Sequence, residues 1–311
     1  MPTGALVLTA GLGTRLRPLT LRRAKPALPV AGTPLVARIA TWLRTRGISR
    51  LLLNLHYHPE SVTAVMGDGS RLGVEVRYSW EMPLLGSGGG PRRAFSLVPD
   101  ARLWLVNGDT LADIDLDGMA REHTAGGALV TLALVPNPAP DRYGGVLVDD
   151  DGVVTGFVPR GTPGRTWHFA GIQLAERAAF AGLEDGVPAR SIGGVYSDLM
   201  AARRGSIRGF RSEARFFDIG TPREYLDTCL ALAGARVVAG SGVEVASTAT
   251  VDRCVLLDGA RVEGGARLHG VVVEEGTLVP GGFEAAECVL LPSDAGGPPV
   301  AVAFEGGAPL A

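Results

Sequence analysis

The chain has almost no lysine. It carries 30 basic residues, and every one except Lys25 is arginine. A compact ammonium and a planar guanidinium fork hold anions differently, so a lone lysine in an arginine-rich chain marks position 25 as one that needs the former. Cysteine is scarce as well. Cys229, Cys254 and Cys288 are odd in number and lack metal-ligand spacing, which fits reduced thiols. No apolar run is long enough to span a bilayer, and the N-terminus lacks the charged-then-apolar build of a signal peptide, so a cytoplasmic location is expected. Net charge is also small, at −2 with acids and bases interspersed. That leaves no broad basic face for nucleic acid or an anionic membrane.

Two familiar phosphate-binding loops are missing too. A dinucleotide fingerprint needs a third glycine where Leu16 stands, and a P-loop needs Gly-Lys-Ser/Thr, which occurs nowhere in the chain. What is present is the stretch Leu6 to Val30, LVLTAGLGTRLRPLTLRRAKPALPV. Its apolar start reads as a buried strand that empties into Gly11-Leu12-Gly13-Thr14-Arg15, a backbone-exposed loop. Glycines let main-chain N–H groups approach anionic oxygens, and Arg15, Arg17, Arg22, Arg23 and Lys25 bring cations close by. The segment suits a polyphosphate.

At 311 residues the soft expectation is two domains. After Val30 the pattern alternates: an amphipathic run from Leu35 to Arg46, a strand at Leu51 to Leu55, a helix at Pro59 to Met66, and a strand at Val74 to Trp80. The glycine-rich Glu81 to Gly90 then reads as a second close-approach loop before a helical Pro91 to Leu97, because so many glycines disfavour an element interior. A strand from Ala101 to Val106 ends in Asn107-Gly108-Asp109, which places a carboxylate where open α/β sheets collect ligands. His56 and His58 are read as lining a cleft, not as metal ligands. This alternation predicts an α/β fold with a mostly parallel, Rossmann-like sheet flanked by helices.

Farther along, Tyr143 to Val154 reads as a hairpin with a solvated Asp149-Asp150-Asp151 turn. Asp218 sits at a strand end, and Thr221, Pro222 and Glu224 are a cap, a first-turn proline and a first-turn acid, so a helix should start there. Past Ala235 the composition changes. Val243 and Ala249, Val245 and Val251, Ala260 and Ala266, and Val262 and Leu268 are each six apart with glycines beside them, the pattern of a hexapeptide β-helix. The expected division is 1–235 and 236–311. The repeats, about three or four coils, should need a cap from the first domain or another subunit, giving a possible homo-oligomer through this region. The Gly/Pro/Ala-rich tail, Gly296 to Ala311, is expected to be loosely ordered.

The opening resembles the sugar-1-phosphate nucleotidylyltransferases: the Gly11 to Arg15 loop, Leu16 to Thr20, Lys25-Pro26 and Pro29-Val30 follow that family's motif, and its mannose-1-phosphate guanylyltransferase-like members look nearest. The resemblance implies a nucleotidyltransferase domain followed by a short left-handed hexapeptide β-helix. It implies that Ala10, Gly11, Gly13, Thr14, Arg15, Asn54, Gly86 and Ser87 bind the nucleotide. Arg15, Lys25 and Asp109 would serve catalysis, Asp109 and Asp218 would hold Mg²⁺, and Gly144, Arg160 and Gly171 would face the sugar phosphate. The implied partners are an NTP, with GTP ahead of UTP or dTTP, and a mannose- or heptose-like sugar 1-phosphate. One departure stands out: where many relatives have Glu-Lys-Pro, this chain has Phe157-Val158-Pro159-Arg160. The carboxylate is gone, and Arg160 would have to supply the cation. Two rival functions remain, a regulatory paralogue that only binds nucleotide sugars and an acyltransferase activity of the repeats, for which His269 is the only evident base.

Overall fold

A computed structural model describes residues 2–293 and 297–304. The chain divides into two compact units: one holds residues 1–12 and 36–217, the other 13–35 and 218–311.

The first unit is built on a nine-stranded sheet. Its main path runs Val154–Val158, Gly145–Val148, Trp167–Glu176, Arg102–Asn107, Gly4–Leu8, Arg50–Leu55, Glu75–Trp80, with Val130–Pro136 and Ile207–Arg211 branching from Trp167–Glu176. The four strands from Arg102–Asn107 to Glu75–Trp80 are parallel. Helices Leu35–Thr45, Pro59–Met66 and Gly86–Leu97 make the crossovers between them, as βαβ connectivity requires. Parallel strands covered on both faces read as continuous apolar runs, and Leu51 to Leu55 are all buried. The α/β class is therefore as expected, with a mixed sheet: Trp167–Glu176 lies antiparallel between Arg102–Asn107 and Val130–Pro136. Its register shifts between Phe169 and Gln173, where Gly171 takes φ +73°. Leu6, Phe95, Leu105, Leu134 and Tyr196 are among the side chains that close the core.

The glycine-rich stretch differs from its expected loop. Gly86 to Gly90 form the opening of a helix that runs to Leu97. The reason is packing: a Cβ at Gly89 would lie 2.6 Å from the Val187 carbonyl oxygen, and one at Gly88 3.1 Å from the Arg190 carbonyl. The chain at 187–190 rests directly on this turn, so the glycines serve close helix–backbone contact. The expected hairpin is present, Gly145–Val148 against Val154–Val158.

In the second unit the repeats wind into three parallel faces. One contains Val237–Ala239, Cys254–Leu256, Val272–Val273 and Cys288–Leu291, the second Glu244–Val245, Arg261–Val262 and Leu278–Val279, and the third Thr250–Asp252, Arg267–His269 and Glu284–Ala286. Pairing of Val255 with Val272 and of Val272 with Val289 sets a coil of 17 residues. The corners keep that period, with Gly242, Gly259 and Gly276 all at positive φ. A third corner uses Arg253, Gly270 and Glu287, again at positive φ. Non-glycine residues are strained there, and both make ion pairs to the helix Pro222–Ala233: Arg253 to Asp227 at 2.8 Å, and Glu287 to Arg223. That helix supplies part of the cap the short repeat needs. Thr221 caps it as expected, its hydroxyl accepting from the Glu224 N–H at 3.3 Å. The tail expectation needs correction where it can be compared. Val300–Ala303 pairs antiparallel with Cys288–Leu291 and closes the last coil. Alternating Val and Ala suit an edge strand that covers exposed backbone groups. Gly296 and residues 305–311 lie outside the described residues. The three cysteines are free and buried, and burial pushes the thiols of Cys254 and Cys288 up to about 11.

Candidate functional site

In the first unit the parallel strands deliver their carboxyl ends to one edge, and a buried polar network ties these ends together. The Thr9 N–H donates to Asn54 Oδ1 at 2.7 Å, and the Thr9 hydroxyl donates to the Asn54 carbonyl. Asn54 Nδ2 donates to Glu81 Oε1 at 2.8 Å, and Glu81 Oε2 accepts from the Leu85 N–H at 2.9 Å, next to the glycine-rich helix. His56 Nδ1 lies 2.9 Å from the Glu81 carbonyl oxygen. Asn54, expected at the nucleotide, is thus buried with both polar ends engaged, and its part is to hold Ala10 and Gly11 in place through Thr9. A buried carboxylate with good partners is costly to disturb. Thr9 and Glu81 are functional supports that sequence reasoning missed; the available signal was a charged residue directly after the strand that ends at Trp80.

Gly86 and Ser87 are exposed at the start of the helix. The N–H groups of Gly88 and Gly89 already donate to the Ala189 carbonyl, at 2.9 and 3.4 Å. Part of this helix N-terminus is therefore already spent on the chain itself. Ser87 Oγ accepts from the Ser191 N–H at 3.0 Å.

Asp109 follows the strand Arg102–Asn107 and is half-buried. Gly108 makes that turn possible. Its N–H donates to the Leu8 carbonyl at 3.0 Å, and a Cβ there would stand 2.5 Å from that oxygen. One Asp109 oxygen accepts from the Thr110 hydroxyl at 3.1 Å, which fixes the carboxylate's direction. Gly171 backs the same turn: its Cβ would lie 3.0 Å from Asn107 and Thr110 atoms. Gly144 is exposed, beside a ring cluster in which His168 lies 4.5 Å from Tyr143 and 4.8 Å from Phe216. Arg160 is exposed after the strand Val154–Val158, and Phe157 and Val158 are half-buried.

The second unit holds the rest of the predicted set. Gly13 takes φ +60°, and its carbonyl accepts from the Thr20 hydroxyl at 2.8 Å. A Cβ at Gly13 would meet Thr20 Cγ2 at 3.0 Å and Lys25 Cβ at 3.4 Å, so the loop, Thr20 and Lys25 form one close-packed group. Lys25 opens a short 3-10 turn, Lys25–Ala27, and is only 8% exposed. Thr14 and Arg15 are exposed. A Cβ at Gly220 would lie 3.1 Å from an Arg15 guanidinium nitrogen, so Arg15 lies against the turn that follows Asp218. Asp218 is half-buried, and the Gly220 N–H next to it donates to Glu224 at 2.9 Å. Arg23, grouped in the sequence with the phosphate-loop cations, is turned away to Glu274 and Glu275.

No cluster of three or more His, Cys, Asp or Glu side chains able to hold a metal occurs among the described residues. Asp109 and Asp218 are each a half-buried carboxylate, the oxygen donor type that a hard cation takes. No helix among the described residues is long and apolar enough to cross a membrane.

Comparison with known proteins agrees with this arrangement. Residues 4–233 match the nucleotidyl transferase family, and residues 231–287 match a GlmU-like C-terminal hexapeptide family. Among curated relatives, the mannose-1-phosphate guanylyltransferase of Mycobacterium tuberculosis is 33% identical over 71% of this chain and 62% of that protein. The D-glycero-alpha-D-manno-heptose 1-phosphate guanylyltransferase of Aneurinibacillus thermoaerophilus is 31% identical over 71% of this chain and 94% of that protein. The N-acetylmuramate alpha-1-phosphate uridylyltransferase of Neisseria meningitidis is 31% identical over 74% of this chain and 98% of that protein. Among solved structures, HddC from Yersinia pseudotuberculosis superposes with a TM-score of 0.64 at 23% identity, covering 74% of this chain and 99% of that one, which shows the shared fold. The matched family spans both the glycine loop and the Asp218 turn, and the chain belongs to the nucleotidyl transferase family, in its sugar-1-phosphate nucleotidylyltransferase branch, with a C-terminal hexapeptide-repeat extension.

Proposed function

We propose that the protein transfers a nucleoside monophosphate from an NTP to a sugar 1-phosphate, with release of pyrophosphate. The observation that carries the reading is the chain's single lysine, buried against Gly13 in the phosphate loop. A sugar-phosphate oxygen attacks the α-phosphorus in line with the departing pyrophosphate. Backbone N–H groups from Gly11 to Thr14, with Arg15, hold the phosphates, and Lys25 meets the charge that develops on the α-phosphoryl oxygens. Bound Mg²⁺ would supply charge neutralisation at the transferring phosphate, and Asp109 and Asp218 are the carboxylates that would hold it. A loose phosphoryl-type transition state asks for positioning and charge, and these residue types provide both without a covalent intermediate.

GTP is the proposed base donor and a mannose- or heptose-like sugar 1-phosphate the acceptor. Support comes from the two guanylyltransferase relatives. UTP is the competitor, since a uridylyltransferase aligns over a similar share of the chain. The exposed Gly86 and Ser87 would read the base, where a mismatch strands a polar group at about 1–3 kcal/mol. With Phe157-Val158 standing where the family motif has Glu-Lys, Arg160 is the available cation for the sugar phosphate, and Gly144 adjoins the ring cluster of Tyr143, His168 and Phe216. The reaction is placed in the cytoplasm, and the repeat domain is proposed to support a homo-oligomer. Steady-state kcat/KM over the common NTPs and a panel of sugar 1-phosphates tests the base and sugar assignments. A larger kcat/KM with UTP, dTTP, CTP or ATP across several sugars would overturn the guanylyl assignment and leave the reaction class standing.

A further inference from the structure

The second unit contains a buried charge that the repeat architecture does not need. Each 17-residue coil turns a corner at an equivalent position, because the Leu257 N–H donates to the Val273 carbonyl as the Glu274 N–H does to the Leu290 carbonyl. Leu257 is buried in its coil, 4% exposed. One coil later the same slot holds Glu274, also 4% exposed. A carboxylate in an apolar slot is expensive unless a cation meets it. That cation is Arg23, whose guanidinium donates to Glu274 Oε1 at 3.1 Å and to the neighbouring, exposed Glu275. Glu274 Oε2 is buried without a hydrogen-bond partner, and Arg23 is the cation that bonds the other oxygen. Burial raises the Glu274 carboxyl above its ordinary range; Arg23 opposes that rise first, then a backbone hydrogen bond at Glu275 and, less, Arg22, while the Glu275 charge adds to it.

Arg23 lies between Thr20, which is bonded to Gly13, and Lys25, which opens the next turn. The same segment is anchored a second time where the buried Tyr225 hydroxyl donates to the Pro29 carbonyl. The loop from Gly13 to Pro29 is therefore held on either side of Lys25, at Arg23 and at Pro29, by the C-terminal part of the chain.

We propose that the hexapeptide repeat of this protein holds the phosphate loop in its working geometry, with Glu274 and Arg23 as positioning residues that set the placement of Lys25. The inference rests on the nucleotidyl-transfer reading only for its kinetic arm. It changes the role of the repeats: carrying no catalytic group of their own, they act on the chemistry through the Arg23 guanidinium and the two glutamates that hold it.

Glu274→Leu is the sharpest variant, because it gives this coil the residue type that Leu257 supplies in the coil before. Replacing a buried charge by a fitting apolar side chain is often neutral or stabilising, so the repeat should melt no earlier than wild type. Arg23→Gln removes the other partner and covers the case of a poorly folding Glu274 variant. Two readouts follow on full-length protein. Because Lys25 is the only lysine, acylation by an amine-reactive reagent followed by peptide mapping reports on that one side chain, with the N-terminal amine as internal control. Both variants should acylate Lys25 faster than wild type, and acylation should be less well protected by added pyrophosphate. Turnover should fall about tenfold, with the KM for sugar 1-phosphate little changed, because small misplacements of a phosphate-binding group act on the transition state. Unchanged Lys25 acylation in Glu274→Leu and Arg23→Gln would overturn the proposal, as would faster acylation with wild-type turnover. A wild-type protein inactive on every NTP and sugar phosphate would sink the functional reading, while the labelling result would still decide the tether.

Discussion

Replacing Gly13 by alanine separates two physical effects in one loop. The backbone at Gly13 has φ +60°, a conformation that costs a residue with a Cβ about 1–2 kcal/mol. The new Cβ would also sit 3.0 Å from Thr20 Cγ2, 3.3 Å from Thr20 Cβ and 3.4 Å from Lys25 Cβ. Crowding of this kind adds about 1–3 kcal/mol when neighbours must shift, so the total penalty is about 2–5 kcal/mol by these two terms together. The catalytic loss should be the larger signal, since the shift falls on Thr20 and Lys25. Thr20→Ser provides the control: it deletes Cγ2 and keeps the hydroxyl that bonds the Gly13 carbonyl. The double variant Gly13→Ala with Thr20→Ser should recover part of the lost stability and turnover, and the share that remains is the backbone cost together with the contacts to the Cβ atoms of residues 20 and 25. Thermal melting and kcat on the four proteins make the measurement. A Gly13→Ala protein with wild-type melting and turnover, or a double variant no better than Gly13→Ala, would refute the reasoning.

Lys25→Ala should lower kcat by about 10²-fold or more with the melting temperature little changed, the scale on which one preorganised charge contact acts; kinetics near wild type would remove Lys25 from the mechanism. Asp109→Asn and Asp218→Asn should each abolish metal-dependent turnover, with the double variant little worse than either, because groups serving one metal fail as a unit; losses that multiply would contradict a shared ion. A pH effect should come from His123, which is buried with Nδ1 2.8 Å from the Thr131 hydroxyl and Nε2 3.1 Å from Glu176. Burial lowers its pKa below the ordinary 6.5, with Arg102 adding to the shift and Glu176 opposing it. The neutral ring is therefore favoured in the folded state, and its stability contribution is complete above pH 6.5 and lost as pH falls through the lowered value. His123→Gln should flatten the melting-temperature profile below that pH, and an unchanged slope would rule His123 out as its source.

Several local features around the candidate site were legible because their signals are local. A strand running into Gly11-Leu12-Gly13, a carboxylate after Gly108, and the Thr221-Pro222-Glu224 start of a helix each follow from neighbouring residues, and the six-residue spacing exposed the repeats. What escaped depends on partners far away in the chain. Asn54 reads from the sequence as a nucleotide contact, and its bonds to Thr9 and Glu81 come from residues 45 and 27 positions away. Gly86 to Gly90 looked like a loop because nothing nearby announces the segment 187–190 that presses on them. Arg23 read as a phosphate cation, since its carboxylate stands 251 residues later. The antiparallel insertion of Trp167–Glu176 and the closing strand Val300–Ala303 are likewise pairings that only the folded chain defines.

The central claim is the transfer itself, and product analysis tests it most directly. With α-phosphate-labelled GTP, mannose 1-phosphate and Mg²⁺, the account predicts label in a nucleotide diphosphate sugar, one pyrophosphate released per sugar nucleotide formed, and no product when the metal is chelated. Label appearing as free GMP, or pyrophosphate released without sugar nucleotide on any NTP and sugar 1-phosphate pair, would contradict it.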